Sequence, residues 1–71
     1  MMWILVALFE ITTVAMVIED IHVFEFQFNS ELDCLNFVTE NYEGLENYIK
    51  EEYQTKAETF VCVNAQRINR D

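Results

Sequence analysis

The chain has no proline, a single glycine (Gly44), a single histidine (His22), two cysteines, and no lysine or arginine before Lys50. Without proline, low-complexity tracts or internal repeats, no linker is visible, so the 71 residues read as one domain, 1–71. The missing positive charge bears on the apolar N-terminus "MMWILVALFEITTVAMVIEDI". A secretory signal wants a basic n-region and a small-residue cleavage site, and neither is present. A membrane span needs about 20 apolar residues, and Glu10 interrupts the run. Ile4, Val6, Ile11, Thr12, Thr13, Val14, Val17 and Ile18 are β-branched and favour strands. The expectation is a soluble chain without a signal peptide or membrane association.

Basic residues are scarce overall, four against thirteen acidic, for a net charge of −9. Nucleic-acid binding needs a basic footprint on the phosphates, so DNA and RNA are excluded as direct partners. A basic protein partner fits this balance. The chain also lacks a P-loop, GxGxxG, GxSxG, HExxH or EF-hand loop. No spacing marks an enzyme, and no cofactor is implied.

Apolar residues are abundant, at 52%, and 14% of the chain is aromatic. A domain this small buries only about 60% of its unfolded surface. So much apolar surface is hard to hide in one copy, which points to a homo-oligomer, most simply a dimer.

The patterning gives an α+β, β-β-α-β domain, with an antiparallel sheet covered on one face by one helix. Trp3 to Glu10 reads as a strand with both faces apolar. A second apolar run starts near Val14, after a connection without the usual turn residues. Within it, Phe24, Phe26 and Phe28 alternate on one face, as core or as the lining of an apolar pocket. Glu19–His22 is the expected place for a bend or bulge, or for a division into two shorter strands.

The period then changes. Ser30 is placed to cap a helix, with Asp33 at the third position and Glu31 and Asp33 complementing the dipole. Cys34, Leu35, Val38, Tyr42, Leu45 and Ile49 form its apolar stripe. Gly44 is where the helix would kink or become two, and the pattern ends near Tyr53. A last strand, Glu58 to Val63, precedes the tail "AQRINRD".

Cys34 on the helix stripe and Cys62 on the last strand can approach to disulfide distance. Buried free thiols and a functional thiol are the alternatives. Against a nucleophile, Glu31 and Asp33 oppose the thiolate. Against zinc, His22, Cys34 and Cys62 are one ligand short. His22 alone reads as a surface or edge residue. Glu40, Glu43 and Glu46 belong to a solvated helix face that could dock a basic partner.

The apolar double strand, "FNSELDC" opening a helix, and the closing "FVCV" together resemble short uncharacterised proteins of tailed phages and marine viral genomes. In those, F-x-S-x-x-x-C and a late cysteine recur around a helix. The resemblance implies a viral accessory protein, in a host cytoplasm or on a virion, and a Cys34–Cys62 pairing. It carries no activity. The functional expectation is a non-enzymatic acidic accessory protein acting through self-association and a basic partner. The rivals are a phosphate-mimicking inhibitor of a host nucleic-acid-binding protein, and a small-molecule or metal binder.

Overall fold

The structure, a computed structural model, describes residues 2–65. The tail beyond Ala65, with its two arginines, lies outside the described residues. The elements run β1 (Trp3–Thr12), β2 (Val17–Phe28), α1 (Glu31–Glu40), α2 (Tyr42–Tyr53) and β3 (Ala57–Asn64). The three strands make one sheet, ordered β2-β1-β3, with both pairings antiparallel. The fold is therefore α+β, with two helices where the periodicity predicts one.

β1 is the central strand, and its alternation decides the architecture. Leu5, Ala7 and Phe9 point under the helices and are almost completely buried. Ile4, Val6 and Leu8 point to the opposite face, which neither α1 nor α2 covers among the described residues. The core closes with Phe24 from β2, Cys34 from α1, Leu45 and Ile49 from α2, and Ala57. Burying side chains of this size contributes about 1.5–3 kcal/mol each.

The β1–β2 connection forms without glycine because a threonine supplies the turn chemistry. Thr13 Oγ1 accepts from the backbone N–H groups of Ala15 and Met16 and donates to the Met16 carbonyl. The long second run is one continuous strand, with no break at Glu19–His22. The irregularity sits further along, where residues 24–26 lie opposite the single residue Leu5. Two extra residues preserve the period of two, so Phe24, Phe26 and Phe28 keep the face of His22.

The helical segment divides at Asn41, three residues before Gly44. Asn41 donates to the Phe37 carbonyl from both its backbone N–H, at 3.0 Å, and its side-chain Nδ2, at 2.9 Å. That local bonding closes α1. The Asn41 carbonyl then accepts from Leu45 N and begins α2. Gly44 is an ordinary helical residue inside α2. In α1 the buried face is set by Cys34, Phe37 and Val38, so Leu35 is 45% exposed, and Tyr42 at the start of α2 is 43% exposed, rather than in the core.

Candidate functional site

Cys34 and Cys62 are joined by a disulfide, with Cα atoms 6.1 Å apart and an S–S distance of 2.04 Å. Ser30 sets up the helix that presents Cys34, its Oγ accepting from Asp33 N at 3.1 Å. Cys62 reaches the bond because it shares the helix-covered face of β3 with Phe60. The crosslink ties α1 to an edge strand across the core. With both sulfurs bonded, neither is available as a nucleophile or metal ligand beside His22.

Two groups of acidic residues bear on the site. Glu40 ends α1, whereas Glu43 and Glu46 begin α2, so the helix break separates the three. Glu40 and Glu43 share an open cleft of about 490 Å³ with Asn41 and Tyr42. Glu46 bonds the Tyr42 hydroxyl, and its charge is the main reason that this phenol ionises above its ordinary range.

A second group, Glu10, Glu19 and Glu58, gave no signal in the sequence because three strands assemble it. Glu10 lies directly opposite Glu19 on β2. Glu58 is the extra residue of a bulge: Thr59 pairs with Leu8, and Ala57 with the next residue, Phe9. The bulge turns Ala57 into the core and brings Glu58 against Glu10. Partial desolvation, a hydrogen bond with Glu10, and the charges of Glu10 and Glu19 all raise the Glu58 carboxyl above its ordinary value. This trio lies at one end of the helix-free face.

Apart from Gln27 opposite Ile4 and Thr59 opposite Leu8, the rest of that face is largely apolar. It carries Ile4, Val6 and Leu8 on the central strand, flanked by Ile21 and Val23 of β2 and Val61 of β3. Ile21 is 51% and Val23 47% exposed. These residues do not reach the core cluster, and the helices cover only the other side.

An aromatic cleft occupies the outer margin of the covered face. His22 Nδ1 hydrogen-bonds the Tyr53 hydroxyl, and the His22 ring meets Phe24, Tyr48 and Tyr53 at centroid distances of 4.7, 5.2 and 5.6 Å. His22 is thus half-buried in an aromatic cluster rather than a plain surface residue. Tyr48 and Tyr53 were not separable in the sequence from the acidic residues around them. Of the phenylalanine row, Phe24 is buried, whereas Phe26 is 44% exposed. Phe24 and Phe28 belong to or pack against the core, while Phe26 between them, with Phe24, faces the cleft. The cleft encloses about 570 Å³ between β2 and α2.

No group of three or more His, Cys, Asp or Glu residues among those described is placed to hold a metal ion. No helix among the described residues is long and apolar enough to cross a membrane. No family model, curated protein or solved structure matches the chain.

Proposed function

We propose that this chain is a non-enzymatic, acidic accessory protein that acts through protein contacts, pairing with a second copy through the helix-free face of its sheet. The observation behind this reading is that face itself. An antiparallel sheet normally turns polar side chains to water on its uncovered side. Here the central strand places Ile4, Val6 and Leu8 there instead, Val6 already buried between the neighbouring side chains, with the exposed apolar surface supplied mainly by Ile21 and Val23 of β2. The resemblance to viral accessory proteins agrees with a role of this kind.

The size of the face sets the strength expected. Three strands at about 4.8 Å spacing, over about eight residues at about 3.3 Å, cover roughly 400 Å² per copy. Two copies bury about 800 Å² in projection, below the roughly 1,200 Å² of standard interfaces. The dimer is therefore weak and reversible, and repulsion between the Glu10, Glu19 and Glu58 clusters weakens it further.

Sedimentation over a concentration series tests the reading. The wild-type mass should rise toward two copies, and Ile21→Asp or Val23→Asp should hold the protein at one. Both positions are half-exposed, so both variants should stay folded. A wild-type monomer at high micromolar concentration would refute the pairing.

A further inference from the structure

We propose that the free edge of β2, together with the aromatic cleft beside it, is a docking site for an extended, lysine- or arginine-bearing segment of another protein. The site lies along the β2 margin and shares Ile21 and Val23 with the helix-free face.

The edge comes first. β2 is the outer strand of the sheet and, among the described residues, pairs only with β1, so its other side has no strand partner there. Natural sheets blunt such edges with lysine, proline, other charges or bulges. β2 has no lysine or proline; its protection is acidic, from Glu19, Asp20 and Glu25, and its irregularity at residues 24–26 leaves 17–23 regular. Its regular stretch, residues 17–23, pairs with β1 without interruption and so offers an evenly spaced outer row of backbone groups. The Ile21 N–H takes Asp20 Oδ1 of its own strand at 2.8 Å, which marks a donor served locally in the absence of a neighbouring strand. A strand added here gains main-chain hydrogen bonds, while nearby pockets select its side chains.

The cleft supplies such a pocket where the regular stretch ends. Phe24 and Phe26 form its floor, their rings nearly parallel with centroids 5.8 Å apart. Tyr48 stands over Phe24 at 5.6 Å, and Gly44 and Leu45 complete the α2 wall. Phe26 and Tyr48 are each 44% exposed, so both offer ring surface to an incoming side chain. Gly44 keeps the wall low, because a Cβ built there meets nothing within 4 Å.

Charge selects the occupant. β2 bears Glu19, Asp20 and Glu25, and Glu25 lines the cleft itself. α2 adds Glu43, Glu46, Glu51 and Glu52 against a single lysine, Lys50. A second copy of β2 would set these carboxylates against one another. An alternating basic and apolar segment places its cations along the acidic edge and one apolar side chain over Phe26.

The test uses the oxidised full chain and a synthetic peptide of alternating lysine and leucine with a central phenylalanine. Binding is followed by fluorescence anisotropy and amide chemical shifts. The peptide should bind, weaken as salt is raised, and shift amides in residues 17–26 and at Tyr48. A glutamate-for-lysine peptide should not bind, and an N-methylated version, unable to form a ladder, should bind several-fold more weakly. Phe26→Ala and Tyr48→Ala should each weaken binding roughly threefold to tenfold. Gly44→Leu, which adds bulk at the cleft without displacing a core atom, should weaken it as well. Circular dichroism confirms that each variant is folded. Absence of binding, equal binding of the N-methylated peptide, or shifts confined to Val6, Leu8 and Val61 on the helix-free face would overturn the proposal.

Discussion

The hydroxyl of Tyr53, the last residue of α2, hydrogen-bonds Nδ1 of His22 on β2, while the Tyr53 ring packs on Phe9 of the central strand at 4.4 Å. One side chain therefore anchors the C-terminal end of α2 to two strands. Burial is the first cause holding its phenol above the ordinary range, followed by the charge or polarity of Tyr48, Glu52 and Asp20. Tyr53→Phe keeps the ring contact and loses the hydrogen bond, and should cost about 1 kcal/mol in urea unfolding. Tyr53→Ala also loses the packing and should cost about 3 kcal/mol. Equal costs for the two variants would show that the hydroxyl carries the whole effect.

The Cys34–Cys62 disulfide closes a loop with a sequence separation of 28. In the chain-entropy model a loop of this length stabilises the fold by about 3–4 kcal/mol. Reduction, or the double Cys34→Ser/Cys62→Ser variant, should lower stability by that amount. For a domain with so small a core this removes much of the margin. Mass spectrometry before and after reductant should register the gain of two hydrogen atoms, and thermal melts of the same samples give the stability change.

The fold should grow more stable as pH falls from neutral toward the ordinary carboxyl range. Glu58, its carboxyl raised beside Glu10 and Glu19, keeps its proton in the folded protein at pH values where the unfolded chain has released it. The resulting stability is fully present below the ordinary carboxyl value and is lost as pH rises through the raised one. Glu58→Gln mimics the protonated form, so it should stabilise at neutral pH and flatten the pH dependence of the melting temperature. A slope unchanged in Glu58→Gln would assign the effect to the other carboxylates.

Two backbone positions invite opposite exchanges. Gly44 lies inside α2 with open space where a methyl group would stand, so Gly44→Ala should stabilise by about 0.5–1 kcal/mol. Gln54 caps α2 at φ 55, in the left-handed region that disfavours a Cβ. Gln54→Gly relieves about 1 kcal/mol, set against loss of the Gln54 Nε2 bond to the Glu51 carbonyl. Chemical denaturation of both single variants and the pair should show near-additive shifts for Gly44→Ala and a smaller net change for Gln54→Gly.

The strands, the helical region and the cysteine pairing were legible in the sequence because each rests on local pattern. Alternation at Phe24, Phe26 and Phe28 marks β2, the change of period after Ser30 marks the helical segment, and the two cysteines fall on surfaces that must face each other. The division of that segment was harder to place. Gly44 is the weaker helix former, yet Asn41 ends α1, because its side chain can bond the Phe37 carbonyl. The carboxylate trio was not legible at all. It depends on the Glu58 bulge and on the register that sets Glu10 opposite Glu19, both settled by pairing across the sheet.

The place of β1 at the centre of the sheet has a consequence for how the protein is made. Its partner β2 follows at once, but its other partner, β3, comes only after both helices. During synthesis the earliest strand must wait with its second edge bare and both faces apolar until almost the whole chain has emerged. Incomplete sheets of this kind are prone to aggregate. The acidic helices lie between β2 and β3 in the sequence, so they are made before the strand that closes the sheet.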